Sequence, residues 1–217
     1  KHPQIYGYIA AMGFCVALMI SWFTPLLFSA NMTVLDVGQG QSILLQSGGK
    51  TILVDCGGDD DERTADIVAQ ALLSQGISYI DAVIITHCDT DHIGGLPYLL
   101  KRVDAGAVFL PHVEEIPSSL ISENVILTTE DCRLSYGDTR ISIFGSYSMD
   151  SPNETGLCVL FESERCVILI TGDRGSLGER LLMKRTELPK VDILVAGHHG
   201  SAESTSEALL QKVKPDI

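Results

Sequence analysis

The stretch "IITHCDTDHIGGL" (residues 84–96) decides the reading. It sets two imidazoles and two carboxylates, His87, Asp89, Asp91 and His92, within six residues, directly after an apolar run that reads as a strand. A strand presents side chains rigidly, and the loop at its end leaves them exposed at the sheet edge where layered α/β folds bind ligands. His87 and Asp89 are two apart, so in extended chain they face the same way. Asp91 and His92 are adjacent and can face a second point. One loop can therefore serve two divalent cations.

Working outward, two further apolar runs end in the same residue types. "RCVILITGD" (165–173) supplies Asp173, and "VDILVAGHHGS" (191–201) supplies His198 and His199. Asp173 is placed to bridge two cations. A paired-cation site of this kind holds an activated water and clamps a phosphoryl oxygen. Cys88 lies between His87 and Asp89, so its side chain is expected to point away from them. The six cysteines contain no CxxC pair and read as free thiols.

The remaining chain reads as mixed strands and helices. Short runs at 32–37, 42–46 and 50–55, separated by "GQG" and "SGG", suggest a three-stranded meander. Residues 63–76 show the apolar spacing of an amphipathic helix, and the acidic run Asp59–Glu62 before it favours a helix N-terminus. Further strands are expected at 80–86, 105–111, 124–129, 139–145, 156–163, 165–173 and 191–201, with the last of these buried. Further helices are expected at 96–103, 176–185 and 205–214. This order suits two β-sheets packed together with helices on the outer faces.

The start of the chain is different. No Asp, Glu, Lys or Arg occurs from His2 to Leu35, and residues 5–30 are apolar and long enough to cross a bilayer as a helix. Pro25 is expected to kink or end that span. The expected organisation is an apolar, membrane-spanning segment at 1–31 followed by one domain at 32–217. The 217-residue chain carries a formal net charge of −13. That argues against holding nucleic acid by surface counterion release, although a bound divalent ion reverses the sign locally. Lys101, Arg102, Arg174, Lys184, Arg185 and Lys190 read first as solvated surface charge, and second as guides for a phosphate backbone.

"THCDTDHIGG" resembles the signature of the metallo-β-lactamase fold, usually HxHxDH, with Asp in place of the second His. Together with "LDVGQG", "TILVDCGG", "TGD" and "GHHGS", the chain from about Met32 onward resembles the C-terminal domain of ComEC-type competence proteins, membrane channels for DNA uptake. The resemblance implies a four-layer αββα sandwich and a nuclease domain at the cell membrane, on its extracytoplasmic side. The implied substrate is DNA, and the implied partners are an upstream channel region and other DNA-uptake proteins. His87, Asp89, Asp91, His92, Asp173 and His198 are the implied metal ligands. Asp91, His198 and His199 are the implied catalytic groups, with ligand and acid roles left open between the two histidines. Asp55 is expected to orient a ligand imidazole, and Asp36 and Gln39 to lie on a loop beside the site.

There are departures from the family pattern. Asn153, in "SPNETGLCVLF", stands where related hydrolases carry a metal-binding His, and Gln41 stands where "LDVGQG" is usually followed by Asp. A further strand is expected beyond "KPDI", so the domain is read as truncated at its C-terminus. Asp in place of His hardens the site, which points to Mn²⁺ or Zn²⁺, one ion held tightly and one loosely. The favoured function is a phosphodiesterase using a metal-activated water. The rivals are a non-catalytic module of a transport channel that binds DNA or a partner, and a metallo-hydrolase of a small ester or thioester.

Overall fold

The computed structural model describes residues 3–28, 30–113, 115–121, 123–145 and 156–217, and within the first helix it describes the side chains of residues 5–20. The early apolar runs pair as the expected antiparallel meander, β1 (Asn31–Val34), β2 (Ile43–Ser47) and β3 (Lys50–Val54). A short parallel ribbon, β4 (Tyr79–Ile80) with β6 (Asp104–Ala105), flanks the next strands. β5 (Ala82–Ile84), β7 (Val108–Leu110) and β8 (Val125–Leu127) extend the first sheet in parallel, giving the order β1-β2-β3-β5-β7-β8.

The second sheet comprises β9 (Cys132–Tyr136), β10 (Thr139–Phe144), β11 (Cys158–Glu162), β12 (Val167–Ile170) and β13 (Ile193–Val195), in the order β13-β12-β11-β10-β9. Only the β12–β13 pairing in it is parallel. Strand β9 does not follow from apolar patterning. Its outward residues Arg133 and Ser135 break the apolar run, and only alternate side chains are half-buried. β13 differs from expectation too: it is an edge strand with all three residues half-buried.

Three apolar clusters define four layers. Leu44, Leu53, Val83 and Ile85 point outward from the first sheet onto Val68 and Leu72 of α2 (Asp61–Leu73) and Leu96 and Leu99 of α4 (Leu96–Leu99). Ile43, Leu45, Ile52 and Ile84 meet Ile141, Val159, Phe161 and Ile170 between the sheets. Cys158, Leu160 and Leu169 pack against Leu182 of α5 (Ser176–Arg185) and Leu209 and Val213 of α6 (Glu207–Val213). The alternation along each strand feeds one set of side chains to each interface, so the central strands β2, β3, β11 and β12 are buried on both faces, helix outside and sheet inside. Each fully buried aliphatic side chain is worth about 1.5–3 kcal/mol relative to exposure.

Helix α2 starts earlier than its apolar periodicity alone suggests. Asp60 caps it by accepting from Arg63 N at 2.8 Å, and Asp61 and Glu62 occupy the first turn, where negative charge is favoured. The stretch expected to be helical at 96–103 is helical only through Leu99 and continues as turns.

The N-terminal apolar stretch forms one helix, α1 (Pro3–Phe28), that continues past Pro25. Its side chains at Tyr6, Ile9, Met12, Phe14 and Ile20 are exposed. Among the described residues, no helix is long and apolar enough to cross a membrane.

Candidate metal centre

The parallel strands send their C-terminal ends to one edge. Asp55 follows β3, His87 follows β5, Asp173 follows β12, and His198 follows β13. Two backbone bonds tie these ends together: Leu157 N donates to Thr86 O at 2.7 Å between the two sheets, and His198 N donates to Gly172 O at 3.0 Å between the ends of neighbouring strands β12 and β13. The short helix α3 (Thr90–Ile93) then carries Asp91 and His92 over the edge.

One ligand atom from each of Asp91, His92, Asp173 and His199 lies within 4.8 Å of the others. His92 Nε2 sits 3.0 Å from Asp173 Oδ1, and His199 Nε2 sits 3.1 Å from Asp91 Oδ2 and 3.9 Å from Asp173 Oδ1. A second pairing lies beside them, His87 Nε2 to Asp89 Oδ2 at 3.2 Å, with the His87 and His92 rings 6.0 Å apart. His198 Nε2 approaches the other oxygen of Asp173, at 3.7 Å. The structure thus brings His199 into the compact group and leaves His198 at its margin. Both have left-handed backbone, φ 51° and 49°, a turn that residue spacing alone does not reveal.

These residues fit a divalent cation. The Nε2 atoms of His87 and His92 are buried, and among the described residues neither makes a hydrogen bond. Each nevertheless lies close to a carboxylate oxygen, as given above. Imidazole nitrogens and carboxylate oxygens gathered this closely are the donor set that a hard or borderline ion takes.

The other nitrogen of His92 is fixed from behind. His92 Nδ1 lies 2.9 Å from Asp55 Oδ2 and 3.2 Å from Thr86 Oγ1. Asp55 is fully buried and also accepts from Thr86 N, Thr86 Oγ1 and Gln41 Nε2, each at 2.6 Å. Burial works against a charged imidazole at His92. The carboxylates of Asp173 and Asp55 outweigh it and push its pKa up to about 10. Burial likewise opposes ionisation of Asp173, but the close contact with His92 and the charges of His92, His198 and His199 hold its carboxyl below the usual range.

Gln41 was singled out in the sequence only as a departure. It contributes three contacts: its side chain to Asp55, its N–H to Asp91 O at 3.0 Å, and its carbonyl accepting from Gly57 N at 3.1 Å. A polar residue directly before a buried apolar run was the available signal. Gln39 lies on the same loop, donates from its backbone to Asp59 Oδ1 at 3.0 Å, and lines an open cleft of about 500 Å³ with Asp59, Asp89 and Asp91. Asp36 is exposed on that loop and joins no metal-capable group among the described residues. Asn153 lies outside the described residues.

Cys88 packs against the outer core and also lines the cleft beside Asp89 and Asp91, and burial pushes its thiol up to about 11. Among the described residues the cysteines form no disulfide. Arg174 corrects the view of it as surface charge: it is fully buried and donates to the carbonyls of Gly145 and Gly156. Arg102 pairs with Asp66, and Lys190 with Asp216 at 2.7 Å.

Two sheets packed between helices, with imidazoles and carboxylates gathered at their common edge, define the class as an αββα metallo-hydrolase fold. The chain belongs to the metallo-beta-lactamase superfamily, which it matches over residues 35–217. It is 27% identical over 230 residues to ComE operon protein 3 of Bacillus subtilis (strain 168), covering 93% of this chain and 29% of that protein. It is 30% identical over 212 residues to Recombination protein 2 of Haemophilus influenzae, covering 92% of this chain and 26% of that one. The chain therefore spans under a third of the length of either relative. A shorter stretch of 79 residues is 38% identical to Ribonuclease J of Mycoplasma pneumoniae, covering 34% of this chain and 13% of that enzyme. Among solved structures, Rm3 metallo-beta-lactamase shares the fold with a TM-score of 0.58 at 16% identity, over 87% of this chain and 80% of that one.

Proposed function

We propose that this chain is a metal-dependent phosphodiesterase that cleaves DNA as part of a membrane DNA-uptake protein. The observation that carries this reading is the convergence of Asp91, His92, Asp173 and His199, from the ends of separate strands, on one point at the sheet edge. The likeness to a ComE operon protein, a recombination protein and a ribonuclease supports nucleic acid as the substrate class.

In this reading Asp91, His92, Asp173 and His199 hold one divalent ion, Mn²⁺ or Zn²⁺. His87 and Asp89 would hold a second more loosely, because Asp89 is largely exposed. When bound, a divalent ion acidifies its water and offsets negative charge on a phosphoryl oxygen. Asp91 orients the attacking water. His198, at the margin of the group and partly open to solvent, donates the proton to the leaving oxygen. Asp55 holds His92 in the tautomer that leaves Nε2 free for the ion. The cleft beside the site is lined by Asp59, Asp89 and Asp91, so a polyanionic strand approaches it only when cations are present. In the same reading the hydrolase domain spans 32–217, follows a membrane channel region, and works on the extracytoplasmic side.

The test is cleavage of end-labelled single-stranded DNA by the 217-residue chain with Mn²⁺ or Zn²⁺ added. Cleavage that needs metal, falls by about 100-fold in His92→Ala and falls less in Asp89→Ala is the expected result. Intact DNA at every metal concentration, or turnover of thioesters without DNA cleavage, overturns the reading.

A further inference from the structure

The loop after β13 is held in a conformation that needs outside support. His198, His199 and Thr205 all have left-handed backbone, with φ of 49°, 51° and 53°. Non-glycine residues persist in that region only where the surroundings over-determine them. The base of the loop is closed by Gly197 N donating to Thr205 Oγ1 at 2.8 Å. Thr205 is gripped in turn by Glu179, a fully buried carboxylate on α5. Its Oε1 accepts from Thr205 N at 2.6 Å and its Oε2 from Ser206 N at 2.8 Å. Among the described residues no Lys, Arg or His forms a salt bridge with it. A carboxyl group placed this deep is costly unless its hydrogen bonds are well made. Helix α5 begins three residues after Asp173, and Ser176 N donates to Glu203 O at 2.9 Å, a second tie between the two segments.

We propose that Glu179 is a positioning residue for the metal centre, fixing the base of the 197–205 loop so that His199 meets Asp91 and Asp173. The inference rests on the reading of His199 as a metal ligand. Two backbone amides on one buried carboxylate lock the loop to the helix that follows Asp173. The two ligands then keep a constant separation.

The experiment is calorimetric titration with Mn²⁺ of the 217-residue chain and of Glu179→Gln, His199→Ala and the double variant, with melting in EDTA as the fold control. Gln fills the same volume but offers one acceptor oxygen. Glu179→Gln is expected to weaken Mn²⁺ binding about tenfold, the scale of ligand-supporting contacts. The same change in the His199→Ala background is expected to alter affinity less than about twofold, as for residues acting through one group. Thr205→Val, which removes the hydroxyl at the loop base, is expected to give the same His199-dependent loss and tests the tie if Glu179→Gln fails to fold. Affinity within about twofold of the parent in folded Glu179→Gln or in Thr205→Val overturns the proposal, as does a loss that persists undiminished without His199. Unchanged affinity in His199→Ala alone overturns the assignment of that ligand itself, a separate failure.

Discussion

Asp55 shows how much of the candidate centre depends on groups outside the cluster of Asp91, His92, Asp173 and His199. Its backbone is left-handed, φ 60°, a conformation Asp and Asn both tolerate. Its two oxygens take protons from Gln41, Thr86 and His92. Asp55→Asn therefore keeps shape and backbone while removing one acceptor oxygen. The new amide faces donors on at least one side, leaving a buried donor unpaired at a cost of about 1–3 kcal/mol. Mn²⁺ affinity is expected to fall by about 10–100-fold, read by titration, with the melting temperature also lowered. Undiminished affinity would mean that Thr86 alone orients His92.

At the scale of elements, the centre is a stack of loops rather than a set of side chains. Gly57 lies flat against the metal loop: a Cβ there would come within 2.1 Å of Asp91 C and 2.2 Å of His92 N. Backbone on both sides cannot give way cheaply, so Gly57→Ala is expected to push α3 off the edge. The change should cost about 1–3 kcal/mol of stability and about tenfold or more in Mn²⁺ affinity. Equal affinity in the variant, with an unchanged melting curve, would contradict the stacking. The "IITHCDTDHIGG" loop, the meander and the outer helices were legible in the sequence because apolar period and turn residues state them directly. The loop stack was not: "GQGQ" and "CGG" mark turns, but nothing in them says that Gln41 N meets Asp91 O or that Gly57 underlies His92. His198 and His199 looked equivalent because adjacent residues differ only through backbone turn, and two left-handed residues in succession swing His199 inward. Nothing in "SLGERLLMKR" marks Glu179, since its burial depends on a loop more than twenty residues further along. Edge strand β9 hid behind its exposed Arg133 and Ser135.

For the whole molecule, the charge of the centre links folding to pH and to metal. In the metal-free chain His92 is raised to about 10, against an unfolded value near 6.5. Protons then bind the folded state more strongly, so this contribution is full below about pH 6.5 and is lost as pH rises through about 10. Asp173 has the opposite sign: its carboxyl is held low, so its contribution is present above the ordinary carboxylate range and is lost as pH falls. Metal-free protein is therefore expected to lose stability between pH 7 and pH 10, by on the order of a few kcal/mol. A divalent ion takes the neutral imidazole and releases its proton. Its stabilising effect must therefore grow over the window in which the metal-free chain weakens. Melting curves at pH 6.5, 8 and 9.5, in EDTA and in saturating Mn²⁺, should diverge steadily with pH, and His92→Gln should flatten the EDTA series. A metal-free melting temperature that stays level across that window, or a Mn²⁺ effect that shrinks as pH rises, would show that His92 does not hold its proton between Asp55 and Asp173.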